Sequence, residues 1–365
     1  TNGKPDASLG PEWFRDPRPD EPPAPLAGDD ATQTMLALLT RAHAPQARTA
    51  AVIGQGSGMS SHFLLGSPAL ERLTTIEIEP EMIEGSRVFY PANHRVFDDP
   101  RSEIVIDDAK SFFAAARRRY DLILSEPSNP WVSGVSGLFT DEFYQRIRDY
   151  LTDDGVLGQW LHLYEISDGL VLSVLAAVHR NFADYVLYVV DNSDILIVAT
   201  AGDRVSAPDW RVFHHPAIAA DLRRAPPVAA EHLEAMRLLD RATLAPLLDG
   251  WGQANSDFFP VLDLGAERAR FRNDFALGFI GLLTARFDFA AALSGRRVGF
   301  GTQREPPVRV PRVRARALGA ALRAPAPMDA AAVDPGLAAA RYRLARLRAS
   351  LNAPEPPTDW LHWLQ

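Results

Sequence analysis

The segment 120–131, YDLILSEPSNPW, constrains the fold of this chain most strongly. Its first six residues have the composition of a buried strand, and that strand stops at Glu126. Pro127, Asn129 and Pro130 follow at once and disfavour an immediate helix. Ligands bind beyond the carboxyl ends of the strands in an open parallel sheet. A lone glutamate at such an end is therefore a candidate reacting group rather than a solvated surface charge.

Short apolar strands alternate with amphipathic helices from Arg48 onward, which indicates a mostly parallel, doubly wound α/β sheet. The last two strands are separated only by residues 191–193, which predicts a terminal antiparallel hairpin that closes the sheet edge. The predicted strands are 49–54, 73–77, 103–106, 120–125, 155–161, 185–190 and 194–199. The predicted helices lie near 60–65, 79–89, 109–118, 140–150 and 168–181.

This pattern divides the chain into four parts. Residues 1–46 form an N-terminal segment, rich in proline, with a lead-in helix from Asp30 to about His43. Residues 47–200 form a Rossmann-like nucleoside-binding catalytic domain, and residues 201–302 a mainly helical extension. Residues 303–365 read as a connector rich in proline and arginine, followed by a C-terminal helix.

Composition excludes several classes of protein. The formal charge of −8 argues against a nucleic-acid partner. The absence of cysteine excludes disulfides, thiolate metal sites and a cysteine nucleophile, and the histidines show no ligand spacing, so we expect no metal. No uncharged apolar run is long enough to span a membrane, and 275–293 reads as a buried helix because it contains Arg286 and Asp288. The chain starts at Thr1 rather than Met, which fits a fragment or a trimmed chain.

A glycine-rich loop follows the first strand of the catalytic domain. Gly54, Gly56 and Gly58 let the backbone turn tightly and approach a ligand with no Cβ in the way. Taken alone, this loop fits a simple tight turn equally well. Glu77 ends the next strand, nineteen positions after Gly58, which suits a carboxylate that accepts hydrogen bonds from ribose hydroxyls. Asp108 follows the third strand, and the three features together predict a nucleoside site.

With these motifs in place, the chain resembles the spermidine synthase (polyamine aminopropyltransferase) family. The resemblance is strongest to the bacterial branch whose members are fused to membrane-spanning segments. It covers residues 1 to about 200, with a weaker match at 255–263. The matching stretches are 2–8, 54–58, 76–80, 107–108, 125–131, 137–144 and 155–160.

The resemblance implies a class I S-adenosylmethionine-dependent transferase fold and a role in polyamine biosynthesis. Decarboxylated S-adenosylmethionine would lie on the loop Gly54, Gln55, Gly56, Ser57 and Gly58. Glu77 would bind the ribose and Asp108 the adenine, while Glu126 would serve as the catalytic carboxylate toward an amine acceptor. The residues expected at the acceptor are Asp30, Gln33, Asn129, Trp131, Gln159 and Tyr164.

Some of these assignments leave alternatives. Trp131 and Tyr164 suit core or lid packing as well as a pocket wall. Ser57 stands where the family pattern has an acid that holds the aminopropyl amine, and Asn129 replaces a second acid. Losing these charges removes selectivity for an amine, so a methyltransferase that uses intact S-adenosylmethionine is an alternative. A non-catalytic module of a membrane-associated protein is a third reading.

The resemblance also bears on assembly and location. It implies a cytoplasmic protein, or a soluble domain at the inner face of the bacterial membrane. It leaves open a membrane-spanning segment before Thr1 in the native protein, and assembly as a homodimer. The acceptor itself is not specified beyond a small-molecule amine.

Overall fold

A single mixed sheet organises the part of the chain that the computed structural model describes. That part comprises residues 7–15, 26, 28–115, 118–191, 194–225, 228, 230, 233, 236–250, 252–277 and 279. The sheet has eight strands in the order β3-β2-β1-β4-β5-β7-β6-β8. Their bounds are β1 Thr49–Ile53, β2 Arg72–Glu77, β3 Ser102–Ile106, β4 Tyr120–Ser125, β5 Leu151–His162, β6 Asp184–Asp191, β7 Asp194–Thr200 and β8 Arg237–Asp240.

The five strands β3, β2, β1, β4 and β5 pair in parallel, and the remaining pairs are antiparallel. The predicted doubly wound α/β fold with an antiparallel hairpin is therefore confirmed. The hairpin of β6 and β7 does not form the edge, however, because β8 pairs antiparallel with β6 beyond it. The region predicted as a mainly helical extension thus also contributes a strand.

Helices cover both faces of the sheet. One hydrophobic core contains residues of α5, α6, α7, α9 and α10, and the other contains residues of α1, α2 and α8. This arrangement buries the apolar β4 strand from both sides, as a central parallel strand requires. The helices are α1 Asp29–His43, α2 Met59–Leu65, α3 Pro80–Ser86, α4 Arg95–Asp98, α5 Ala109–Ala115, α6 Asp141–Tyr150, α7 Asp168–Asn181, α8 Pro216–Leu222, α9 Arg241–Leu248 and α10 Val261–Arg272.

β5 is longer than predicted. It begins at Leu151 rather than 155, and its register against β4 shifts between Tyr120 and Leu122. This irregularity absorbs the polar residues 152–154, which break the apolar pattern on which the prediction depended. The centre of β5 lies close to both α1 and β4 at Gly158. A Cβ built there would meet Thr40 Oγ1 of α1 and would lie 2.8 Å from Leu124 Cδ2 of β4.

Several predictions fall outside the described residues. They are the N-terminal match at 2–6, most of the helix predicted at 275–293, and the connector and helix at 303–365. The division into four parts stays a prediction. In the described part of the chain, no helix has the length and apolar character needed to cross a membrane.

We expect Gly158→Ala to lower the free energy of unfolding by about 2 kcal/mol, because the added methyl overpacks the contact between β5 and α1. Gly85→Ala is the matched control, because no atom lies within 4 Å of a Cβ built there in α3. That change should be neutral or stabilising by up to about 1 kcal/mol. Urea unfolding of both variants measures the difference, and equal stabilities would contradict the close packing of β5 against α1.

Candidate active site

The carboxyl ends of four neighbouring parallel strands bring the predicted site residues together. Ile53 of β1 pairs with Ile76 on one side and Ser125 on the other, so the glycine loop lies between the ends of β2 and β4. Glu77 pairs with Ile106 at the end of β3, two residues before Asp108. The sheet topology therefore places the glycine loop, Glu77, Asp108 and Glu126 along one edge, as the sequence predicted.

The glycine loop and the end of β4 are in close backbone contact. The Glu126 N–H donates to the Ile53 carbonyl at 3.0 Å, and the Gly54 N–H donates to the Ile76 carbonyl at 2.9 Å. Gly54 has a φ of +93°, and a Cβ there would lie 2.5 Å from the Glu126 carbonyl oxygen. Both the backbone angle and the lack of space require glycine at this position.

The Glu77 side chain is hydrogen-bonded to the backbone of the glycine loop. Its carboxylate is buried and accepts the Gln55 N–H at 2.8 Å and the Glu79 N–H at 2.9 Å. A carboxylate has about four lone-pair positions, so acceptor capacity remains for ribose hydroxyls. Asp108 accepts the Ser111 N–H at 2.8 Å through Oδ1 at the start of α5. The described residues supply no recorded donor to its Oδ2.

Glu126 lies partly buried at the end of β4, and its Oε2 accepts the Ser60 hydroxyl at 2.5 Å. Burial raises the pKa of this carboxyl to about 7, and the charges of Asp29 and Asp194 act in the same direction. The hydrogen bond from Ser60 opposes them. A carboxyl that titrates near neutral pH is well matched to proton transfer at physiological pH.

Ser57, expected near the donor amine, and Gln33, expected at the acceptor, form a neutral, buried pair. The Ser57 hydroxyl donates to Gln33 Oε1, and Gln33 Nε2 donates to the Ser8 carbonyl at 3.4 Å. Both side chains are buried. Asp30 is also buried and accepts the Gly10 N–H at 3.1 Å, so part of its acceptor capacity holds the N-terminal segment. Burial raises the pKa of Asp30 to about 6.

Aromatic side chains form one flank of the site, at the carboxyl ends of β4 and β5. The Trp131 ring lies 5.1 Å from the His162 ring and 6.4 Å from the Tyr164 ring. The Tyr164 hydroxyl donates to Asn129 Oδ1 at 3.3 Å. Burial raises the pKa of Tyr164, so its hydroxyl keeps its proton at neutral pH. Trp131 is buried, and the Arg270 guanidinium lies 5.3 Å from its ring centre, so this tryptophan is packed from the α10 side.

Gln159 does not face a cleft in this structure. Its side chain is fully buried, and its amide donates to the Ser125 carbonyl at 3.2 Å and the Trp160 carbonyl at 2.9 Å. It also accepts the Tyr144 hydroxyl at 3.3 Å. These bonds hold the strand end that carries Glu126, which corrects the expectation of a direct substrate contact.

Sequence reasoning missed two residues beside Glu126. Ser60 lies in α2 within a run of small residues, and nothing in its spacing singles it out. Asp194 begins β7, where it accepts the Thr32 hydroxyl at 2.7 Å and the Trp160 indole N–H at 3.1 Å. Pairing the predicted hairpin with β5 would have placed Asp194 opposite His162, near the aromatic flank. Within the described ranges of the chain, no group of three or more His, Asp or Glu side chains could hold a metal ion.

Residues 29–192 match the family model described as "Spermine/spermidine synthase domain". The predicted resemblance to the spermidine synthase family is confirmed. The matched segment covers α1 and the strands β1 to β6, and it includes every residue predicted for the site.

Curated relatives agree with this match. Polyamine aminopropyltransferase 1 of Pseudomonas aeruginosa is 36% identical over 113 residues, which cover 30% of this chain and 39% of the relative. The polyamine aminopropyltransferase of Pyrobaculum calidifontis is 32% identical over 118 residues, 31% of this chain and 41% of the relative. That of Nitrosomonas europaea is 29% identical over 160 residues, 43% and 49% respectively. The aligned regions span less than half the length of each of these relatives.

A solved structure titled spermidine synthase in complex with the transition state analogue AdoDATO aligns with a TM-score of 0.40. It is 24% identical and covers 47% of this chain and 61% of that chain.

The raised pKa of Glu126 makes protein stability depend on pH. Between pH 4.5 and about 7 the folded state keeps a proton that the unfolded chain releases, so this carboxyl lowers stability as pH rises through that window. Glu126→Gln should therefore raise the free energy of unfolding at pH 8 by about 2 kcal/mol and leave it nearly unchanged at pH 4.5.

Thermal unfolding of wild type and variant across this pH range measures the effect. Glu103→Gln is the control, because Glu103 is exposed on β3. A variant gain that is the same at pH 4.5 and pH 8 would contradict the buried environment described for Glu126.

Proposed function

We propose that this chain transfers an aminopropyl group from decarboxylated S-adenosylmethionine to a small-molecule amine, with Glu126 as the base or orienting carboxylate. One observation carries the proposal: Glu126, whose partly buried carboxyl has a raised pKa, lies with its main chain against a glycine loop at the carboxyl edge of a parallel sheet. The match to the spermine/spermidine synthase domain and the names of the curated relatives support the same reaction class.

The reaction is a displacement at carbon. The lone pair of the acceptor nitrogen attacks the methylene carbon bound to the sulfonium, the C–N bond forms, and the C–S bond breaks. The electron pair of the broken bond returns to sulfur and yields neutral 5′-methylthioadenosine. The nitrogen loses a proton, which Glu126 accepts. A base with a pKa of about 7 takes this proton more readily than an ordinary glutamate.

The charges around Glu126 suit cationic reactants. Asp29 and Asp194 are the two charged groups that, after burial, raise the pKa of Glu126. Negative potential at this flank would concentrate an alkylammonium acceptor and a sulfonium donor. Gly54, Gln55, Gly56, Ser57, Gly58, Glu77 and Asp108 would hold the nucleoside.

The neutral pair formed by Ser57 and Gln33 favours a second candidate, methyl transfer from intact S-adenosylmethionine. No charge in this pair would repel the carboxylate of that donor, and none would secure an aminopropyl ammonium. The acidic flank still favours an amine acceptor, so aminopropyl transfer remains the first proposal.

Incubating the full chain with decarboxylated S-adenosylmethionine and a panel of mono-, di- and polyamines tests the first proposal. We expect 5′-methylthioadenosine with at least one amine, at a rate that rises through pH 7 as Glu126 loses its proton. Glu126→Gln should lower kcat by about 100-fold to 10,000-fold. Glu103→Gln serves again as the control.

Three outcomes separate the alternatives. S-adenosylhomocysteine from intact S-adenosylmethionine, without 5′-methylthioadenosine from the other donor, would replace the first proposal with methyl transfer. Binding of neither nucleoside in calorimetry would point to a non-catalytic module. Full activity of Glu126→Gln would remove Glu126 from the mechanism.

Ser57→Asp should increase the preference for decarboxylated over intact S-adenosylmethionine by at least about tenfold, because the new charge attracts an ammonium and repels a carboxylate. Ser57→Asn is the matched control, since it is similar in size to Asp and neutral. Dissociation constants for both nucleosides, measured by calorimetry on the two variants, give the ratio. An equal ratio of dissociation constants in both variants would mean that the carboxylate by which the two donors differ binds away from Ser57.

The direct contacts of Asp30, Gln33, Asn129, Trp131 and Tyr164 with an acceptor are part of this proposal. The expected cytoplasmic location, the homodimer and the membrane-spanning segment before Thr1 stay predictions.

A further inference from the structure

Ser60 connects three elements around the carboxyl of Glu126. It is the second residue of α2 and is 3% exposed. Its Oγ lies 2.5 Å from Glu126 Oε2 at the end of β4 and 3.1 Å from the main-chain carbonyl oxygen of Gln33 in α1. In the part of the chain that the structure describes, this is the one recorded side-chain hydrogen bond to Glu126.

The hydroxyl of Ser60 has one proton but two acceptors within reach. When Glu126 is ionised, Ser60 donates to its Oε2, because a carboxylate can only accept. When Glu126 is protonated on Oε1, its Oε2 is the carbonyl oxygen of the carboxyl group and can still accept the Ser60 hydroxyl, while the Gln33 carbonyl is the second acceptor within reach of that hydroxyl. Glu126 Oε2 therefore keeps its hydrogen-bond donor in both states, and no heavy atom has to move.

We propose that Ser60 is a positioning residue for the reaction, which fixes Glu126 Oε2 in both protonation states and leaves Oε1 to receive the proton of the acceptor amine. The catalytic part of this inference rests on the proposed function, but the hydrogen-bond arrangement does not. Oε1 is the oxygen of Glu126 for which no described residue supplies a recorded hydrogen bond.

The surroundings of Glu126 set the direction of the effect. Burial is the largest influence on its pKa, and Asp29 on α1 and Asp194 on β7 are the charged groups that act on it; all three favour the protonated form. The Ser60 hydrogen bond from α2 is the influence that favours the ionised form. Removing the hydroxyl leaves the other influences unopposed, so the pKa of Glu126 should rise.

Ser60→Ala tests the proposal, with Ser61→Ala as the matched control. Ser61 is the next residue in α2 and is equally buried, but its hydroxyl lies 3.0 Å from Thr75 Oγ1 rather than near Glu126. The glutamate side-chain carboxyl carbon is followed by ¹³C NMR as pH is varied, and its signal is assigned by comparison with Glu126→Gln. We expect the Glu126 midpoint to move upward by about one pH unit in Ser60→Ala and to stay unchanged in Ser61→Ala.

The pH–rate profile gives the second measurement. In Ser60→Ala the acidic limb should move by the same amount, and kcat on the high-pH plateau should fall about tenfold because Oε2 is no longer held. Ser60→Thr keeps a hydroxyl and should restore the wild-type midpoint. If the alanine variant fails to fold, Ser60→Thr still allows the midpoint of Glu126 to be measured in a variant at this position.

An unchanged Glu126 midpoint in Ser60→Ala would overturn the proposal, whatever the activity. Loss of activity in Ser60→Ala and Ser61→Ala alike, with the midpoint constant, would reduce Ser60 to a packing role and would also overturn it. The titration needs no turnover, so a shifted midpoint in a protein that transfers no group would support the arrangement and reject only the proposed function.

Discussion

The close backbone approach between Gly54 and Glu126 is the contact on which the rest of the site depends. β1 and β4 are neighbours in the parallel sheet, and their ends meet because the Glu126 N–H continues the ladder to Ile53. A side chain at position 54 would push these ends apart, since its Cβ would lie 2.5 Å from the Glu126 carbonyl oxygen. The absence of one side chain thus brings the glycine loop and Glu126 together, as the proposed in-line displacement requires.

Burial of Glu126 links stability to reactivity. Desolvation disfavours the charged carboxylate, so the folded protein loses stability at neutral pH for having it there. The same desolvation makes the carboxylate a better proton acceptor for an amine. The Ser60 hydrogen bond reduces the loss of stability but leaves the pKa of Glu126 raised, because one hydrogen bond only partly offsets burial and two neighbouring negative charges. Fully buried Gln159 holds the strand end that bears this group.

The region after β7 packs against the loop that follows Glu126. Asn255 Nδ2 lies 3.3 Å from the Ser136 carbonyl and 3.0 Å from the Phe139 carbonyl, and Asp263 accepts the Ser136 hydroxyl at 2.8 Å. These bonds fasten the loop that follows Glu126 to α10 and to the segment just before it. The Ala276 N–H also donates to the Leu163 carbonyl beside Tyr164. Asn255 and Asp263, at the two ends of the stretch 255–263, thus anchor the loop.

Local pattern alone determined the strands β1 to β7, the hairpin, and the order in which the glycine loop, Glu77, Asp108 and Glu126 follow their strands. These features depend on short-range hydrophobic periodicity and on turn chemistry, which a sequence displays directly. Tertiary structure alone decided that β8 lies at the sheet edge, that Gln159 is buried, that Asp30 holds the N-terminal segment, and that Ser60 bonds Glu126. Each of these joins residues far apart in the chain; Ser60 and Glu126, for example, are separated by 66 positions. No local spacing encodes such a contact, because it arises only when the sheet brings separate strand ends and helices to one edge.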